Sequence, residues 1–308
     1  MTSSGRAWRT SWPVAIRRRS PAAPACGAFS TTMPDSTPAD LARRRRVAEE
    51  AARAAGEIQR RYYGTNIGFE AKADPRDVLT KADLESQAAI AAIIRDAFPG
   101  DVIAGEEDGL ARDEVSRLLD AAVWTVDPLD ATQGFVHDYP VFGPGIAYVV
   151  DRRPLVGVMY MPVYDELFSA ARGLGATLNG APIRVGAPKR LQDALVGVHI
   201  REVDGGAAET FLETTGRVLK RSHGIRLLGG PMFSIAYVAA GRLDCFATLS
   251  PTRLGPWDLA PAAAVLEEAG GVVADQQGRP LDLMRTGIAG ASSRALLEEL
   301  FAVARGEA

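Results

Sequence analysis

From about Asp40 onward the chain alternates between two spacings of apolar residues. Ala48, Ala51, Ala52, Ala55 and Ile58 recur three and four apart, the period of one helix face, and Gly64 closes that helix. A second helix is predicted from about Thr80 to Phe98, ended by Pro99-Gly100. Short apolar runs then read as strands at Val102–Ala104, Val123–Val126, Gly145–Val150, Leu155–Tyr160 and Leu167–Ala170, with Asn179-Gly180 as a hairpin turn before Ile183. After Arg190 strands and helices alternate: strands at Ala194–Val198, Ile225–Leu228, Leu243–Ala247 and Val272–Val273, and helices through Glu209–Leu219, Ser234–Ala240, Asp258–Ala269 and Ser293–Ala304. No internal repeat is visible. The pattern predicts a layered α+β enzyme fold whose two halves meet near residue 190.

Composition narrows the function classes. Of 308 residues, 47% are hydrophobic and 24% charged, and 35 basic against 38 acidic residues leave a net charge of −3. That balance argues against binding a nucleic-acid polymer. The longest apolar stretch, Val141 to Val150, is interrupted by Gly143, Pro144 and Gly145 and is too short to cross a membrane. Cys26 and Cys245 cannot build a disulfide framework, and His137, His199 and His223 show no paired ligand spacing. Any metal must therefore be held by carboxylates and carbonyls, which points to a hard cation such as Mg²⁺.

Residues 1–34 are Arg-rich, contain Ser and carry no acid before Asp35. This fits an organellar transit peptide, but an unstructured extension, or a gene start placed too early with Met33 as initiator, explains it more simply. A cytoplasmic enzyme is expected, an organellar one being the alternative. The run Arg43 to Arg46 reads as a solvated helix face.

Four acidic motifs carry the chemistry: Thr80-Lys81-Ala82-Asp83 at a helix start, Gly105-Glu106-Glu107-Asp108-Gly109 after one strand, Asp127-Pro128-Leu129-Asp130-Ala131-Thr132 after the next, and Trp257-Asp258 opening a helix. Singly, each can be a turn or a helix cap. Together, two acidic turns at the carboxyl ends of successive strands lie where open α/β sheets place ligands. Asp127 and Asp130 can converge on one cation, the Leu129 carbonyl can add a ligand, and clustered carboxylates need divalent cations to offset their repulsion. The hydroxyl of Thr132 and the amides of Ala131 and Thr132 can bind an anion at the following helical turn. A phosphate ester suits such a site, the metals polarising its oxygens and lowering the pKa of an attacking water. The spacing of three between Asp127 and Asp130 differs from the spacing of two in the aspartyl-nucleophile dehalogenase-type phosphatases, so a covalent aspartyl-phosphate is not expected.

These motifs, with Glu268-Ala269-Gly270-Gly271, Asp165-Glu166-Leu167-Phe168 and Leu178-Asn179-Gly180, resemble the inositol monophosphatase family over roughly residues 40 to 305. The resemblance implies a layered α/β/α/β/α sandwich of the inositol monophosphatase and fructose-1,6-bisphosphatase type, a homodimer, and lithium-sensitive, Mg²⁺-dependent hydrolysis of a small phosphate monoester. It divides the chain into a disordered extension (1–37), a half with most metal ligands (38–190) and a half with the Trp-Asp motif (191–308). It assigns Glu106, Asp127 and the carbonyl of Leu129 to one Mg²⁺, and Asp127, Asp130 and Asp258 to a second. Glu106 and Thr132 would prepare the water, Asp83 would support an additional metal site, and Asp130, Ala131 and Thr132 would hold substrate or phosphate. His137, in the loop past Thr132, is not needed.

Two positions depart from the family's usual pattern. Ala131 stands where Gly is usual, and is expected at negative φ so that the phosphate loop survives. Pro251 stands where a Glu usually grips sugar hydroxyls, and nearby Arg253 could favour a second anionic group, although a solvent-exposed side chain explains it more simply. Inositol 1-phosphate is thus the first substrate reading. The alternatives are 3′-phosphoadenosine 5′-phosphate, fructose 1,6-bisphosphate or histidinol phosphate, and, from a different class, a non-catalytic binding protein on the same fold.

Overall fold

The computed structural model describes residues 37–72, 77–187, 189–199, 205–249, 254–285 and 287–307. The N-terminal extension and the Pro251 and Arg253 positions lie outside these residues. In chain order the first elements are α1 (Pro38–Tyr62), β1 (Glu70–Ala71), β2 (Val78–Leu79), α2 (Lys81–Ala97), β3 (Val102–Gly105), a 3₁₀ turn at Glu106–Asp108, α3 (Arg112–Leu119), β4 (Ala122–Asp130) and α4 (Thr132–Val136). Then follow β5 (Gly143–Val150), β6 (Arg153–Met161), β7 (Glu166–Ala171), β8 (Ala176–Leu178), β9 (Ala181–Ile183), a 3₁₀ turn at Leu191–Asp193, β10 (Leu195–His199), α5 (Gly205–Arg221) and β11 (Gly224–Arg226). The chain closes with α6 (Pro231–Ala239), β12 (Cys245–Thr248), α7 (Pro256–Glu268), β13 (Val272–Ala274), β14 (Ala289–Ala291) and α8 (Arg294–Arg305).

Two larger sheets organise the fold. One runs β3-β4-β5-β6-β7-β8-β9, parallel only at β3-β4, and the other runs β11-β10-β12-β14-β13, parallel at β11-β10-β12. Alternation within each strand sets the layers. On β5, Ile146 and Tyr148 pack with Ala48 and Ala52 of α1 and Ile90 and Ile94 of α2, while Ala147 and Val149 pack toward α6 and α7. On β12, Phe246 joins that middle helix layer and Cys245 and Ala247 face Val218 of α5 and Leu297 of α8. The result is the expected α/β/α/β/α order. No helix among the described residues is long and apolar enough to cross a membrane.

The helix starts follow capping chemistry. Thr37 accepts a bond from the Asp40 amide at 3.2 Å, with Pro38 at the first helical position. Thr80 and Asp83 form a reciprocal capping box on α2.

The arginine run corrects an expectation. Arg43 and Arg46 are exposed, but Arg44 is only 4% exposed. Its guanidinium pairs with Asp40 at 2.7 Å and with Asp101, and lies 3.9 Å from the Tyr148 ring centre and 4.4 Å from that of Phe98. Arg45 donates to Glu49 (2.9 Å), Ser169 (3.0 Å) and Thr177 (2.6 Å). The reason is helical period: Arg44 falls between Leu41 and Ala48 on the buried stripe, which four consecutive arginines conceal.

Candidate active site

The acidic segment after Val126 is not a turn, as expected, but the continuation of β4. Asp127 pairs with Gly145 and Asp130 with Gly143, so three steps on β4 match two on β5. This one-residue bulge resets the alternation, so that two carboxylates three apart in sequence reach the same side of the sheet. The Leu129 amide donates to Asp127 Oδ1 at 2.9 Å, and buried Gln59 of α1 donates to the Pro128 carbonyl at 2.7 Å. Sequence reasoning missed Gln59. Its signal is a polar residue on the alanine stripe of α1, where a buried amide needs a partner.

Asp258 arrives from the other helix layer. It is the third residue of α7, and its carboxylate accepts the Gly255 amide at 2.6 Å. Asp258 thus caps α7 from the third helical position, Gly255 being the N-cap residue, and it also joins the carboxylate cluster. One oxygen each from Asp127, Asp130 and Asp258 lies within 4.8 Å of the others, and all three residues are buried.

Ala131 overturns the expectation of a negative φ. It adopts φ 63° and ψ 39°, the left-handed region, as the cap of α4. The chain must pass from strand to helix across this one residue, and the helical bond from the Phe135 amide to the Ala131 carbonyl (3.0 Å) fixes the outcome. Leu129, Phe135 and Phe142 form a small apolar cluster, with Ala131 packed against it.

Thr132 sits at the first position of α4. Its hydroxyl lies 2.8 Å from the Leu129 carbonyl and 3.1 Å from Asp83 Oδ1, both acceptors, so its single hydrogen can serve only one at a time. Asp83 uses its other oxygen on Thr80, accepting the amide at 2.8 Å and the hydroxyl at 2.6 Å. It is a buried cap tied to Thr132, not a solvated helix carboxylate.

Glu106 opens the 3₁₀ turn after β3, which Gln87 of α2 braces through the Glu107 amide (3.1 Å) and Asp108 (2.9 Å). Lys72, also missed in the sequence, places its ammonium 3.0 Å from Glu106 and 2.6 Å from Glu107. Its only signal is that it is one of few lysines; it directly follows β1.

Electrostatics around Asp127 are one-sided. Burial pushes the Asp127 carboxyl well above the ordinary range, and the like charges of Glu106, Asp130 and Asp258 add to this. Burial raises Asp83 to about 6 against the pull of the Thr80 bonds, and raises Glu107 to about 7 with help from Glu106. Burial opposes the charged form of Lys72, but Glu106, Glu107 and Asp77 outweigh it and hold the ammonium above the ordinary lysine value.

A cavity of about 220 Å³ is lined by Glu106, Asp127, Asp130 and Asp258, with Tyr139, His199 and Leu254 also in its lining. His137 and His223 are exposed, and neither lines it. His199, passed over in the sequence for want of a paired ligand, does line it. The donor set suits a hard divalent cation, whose neighbouring oxygen ligands stand about 3–4 Å apart around an octahedron.

Fold and charge arrangement together define the class, a phosphoric monoester hydrolase that gathers carboxylates at the end of a sheet. The chain belongs to the inositol monophosphatase family, which matches residues 40–307. It is 36% identical to inositol monophosphatase 2 of Solanum lycopersicum over 256 residues, covering 83% of this chain and 95% of the relative. It is 32% identical to the fructose-1,6-bisphosphatase/inositol-1-monophosphatase of Thermotoga maritima, covering 74% and 82%. The crystal structure of the extragenic suppressor protein SuhB from Bartonella henselae superposes with a TM-score of 0.75 at 32% identity, covering 85% of this chain and 98% of that one.

Proposed function

We propose that this chain hydrolyses a small phosphate monoester with Mg²⁺, inositol 1-phosphate being the first candidate. The observation that carries the reading is the buried triad Asp127, Asp130 and Asp258, whose charges repel one another. Asp127, Asp130 and Asp258 would hold one cation, and Glu106, Asp127 and the Leu129 carbonyl another. Bound there, Mg²⁺ supplies polarisation of the phosphoryl oxygens and acidifies water.

The chain's own residues do the rest. The backbone N–H groups of Ala131 and Thr132 orient the phosphoryl group. Asp83 draws the Thr132 hydrogen toward itself, which turns a lone pair of the hydroxyl outward to accept from the attacking water. Glu106 takes up the proton released as water adds to phosphorus, Asp130 fixes the ester on the side away from the attack, and the departing alkoxide takes a proton from solvent as the ester P–O bond breaks. Lithium sensitivity and a homodimer complete the reading.

The Thermotoga relative's name joins two substrates, which favours fructose 1,6-bisphosphate as the second reading. Phosphate release with Mg²⁺, with and without Li⁺, separates them across inositol 1-phosphate, fructose 1,6-bisphosphate, 3′-phosphoadenosine 5′-phosphate and histidinol phosphate. Li⁺-sensitive release from inositol 1-phosphate above the others is expected. No release from any of the four would refute the proposal.

A further inference from the structure

The cavity receives one side chain from the five-stranded sheet that the phosphatase reading does not use. His199 ends β10, in register with Thr248 of β12, and is 7% exposed. Its Nδ1 lies 2.6 Å from the Gly229 carbonyl. A carbonyl can only accept, so Nδ1 carries the hydrogen and donates.

Gly229 and Gly230 form the turn that leads into α6. Gly229 has φ +104°, a conformation that side chains rarely adopt, so the turn needs glycine there. Gly230 lies so near Asp130 that a Cβ at this position would stand 2.7 Å from the carboxylate carbon, well inside contact distance. The Ser234 hydroxyl donates to the Gly230 carbonyl at 3.0 Å. The turn is thus clamped at one residue by His199 and at the next by Ser234, and it bears on Asp130.

We propose that His199 is a positioning residue: through its bond to Gly229 it holds the Gly229-Gly230 turn against Asp130 and fixes that carboxylate for the cation. This rests on the phosphatase reading for the role of Asp130. The second sheet thereby controls the metal geometry of a site whose carboxylates all come from elsewhere in the fold. Groups hydrogen-bonded directly to a ligand typically change metal affinity about 10–100-fold; His199 acts one step further out, through Gly229, so the lower end of that range is expected.

The variants separate the hydrogen bond from the packing. In His199→Asn the side-chain amide can take the place of Nδ1–H and keep the bond, although volume is lost. In His199→Phe the ring remains and the donor goes. Mg²⁺ affinity, read by titration calorimetry on the full chain without substrate, is expected to weaken about tenfold or more in His199→Phe and by less than about threefold in His199→Asn. Phosphate release should lose kcat/KM in His199→Phe at limiting Mg²⁺ and recover most of kcat at saturating Mg²⁺. Gly230→Ala, which presses directly on Asp130, should weaken Mg²⁺ binding as His199→Phe does.

Thermal unfolding without Mg²⁺ checks that each variant is folded. If His199→Phe does not fold, Gly230→Ala and His199→Asn decide. Wild-type affinity in His199→Phe or in Gly230→Ala, or equal loss in Asn and Phe, overturns the proposal. Failure of the wild type on all four esters while the Mg²⁺ titrations follow the expected order would refute the phosphatase reading and leave the role of His199 standing.

Discussion

Two buried charged clusters lie on this fold, and they are built on opposite principles. At α1, Arg44 meets Asp40 and Asp101 and is stacked between aromatic rings, so the charges offset one another within the protein. At the end of β4, the charges that act most on Asp127 are Glu106, Asp130 and Asp258, all of one sign. A buried pair with internal partners needs nothing from outside and serves the fold. A buried cluster of one sign is held together by the fold at a cost, which a bound divalent cation would offset. The contrast separates structure from function without reference to any relative.

The largest expected effect comes from removing the shared member of the acidic cluster. Asp127→Asn should lower kcat at least about a hundredfold, because several kcal/mol of metal-mediated charge stabilisation is lost. In the metal-free state the same change should raise the melting temperature at pH 8, since it removes a charge that its neighbours repel. Steady-state phosphate release and calorimetry measure the two halves. A variant that retains turnover would break the comparison outright.

Arg44→Met should do the reverse. It leaves Asp40 and Asp101 without their partner and should cost about 3–5 kcal/mol in urea unfolding, with kcat within about twofold of wild type. An inactive but fully stable variant would show that the two clusters are not independent.

The comparison sharpens with pH. Asp83 rises from an ordinary 3.8 to about 6 and Glu107 from 4.5 to about 7 in the folded protein. Between those values the folded state binds more protons than the unfolded one, so metal-free stability is fully present below about pH 4 and falls as pH rises through 6 and 7. Mg²⁺ at a hundred times its Kd should restore about 2.7 kcal/mol at pH 8, and less at pH 5.5, where protons compete for the carboxylates. Melting curves at the two pH values, with and without Mg²⁺, test both signs. Metal-free stability that rises with pH over this range would show that the bonds to Lys72 and Thr80 favour the charged carboxylates more than burial disfavours them.

The layer order was legible because it rests on periods of 2 and of 3.6, which survive in any sequence that folds this way. Where period and composition compete, reading failed. Four consecutive arginines hid the position of Arg44 on the buried stripe of α1. Asp127-Pro128 looked like a turn because proline usually leaves a strand, yet the bulge lets the strand run on to Asp130. His199 and Lys72 reach the site from elements remote in sequence, and no spacing rule relates them to Asp127. Pattern shows what one element does, whereas a site assembled from several elements is visible only where a motif places its residues side by side, as in Asp127 to Thr132.

The smallest expected effect concerns the backbone of the acidic region. Ala131 is at φ 63°, where its Cβ is crowded at a cost of roughly 1–2 kcal/mol, and the proposed reading uses only its N–H and that of Thr132 for the phosphate. Ala131→Gly relieves that crowding but loosens the unfolded chain, which returns about 0.4–1 kcal/mol. The balance should be a gain of roughly 0.5–1 kcal/mol in urea unfolding, with kcat within about twofold, since glycine keeps the same N–H. A gain of this size would make Ala131 a strained cap imposed by the turn from β4 into α4. A loss would mean that the alanine methyl, packed against Leu129 and Phe135, contributes more than its backbone costs. The acidic region would then be costly only through its charges, and the contrast with Arg44 would be purely electrostatic.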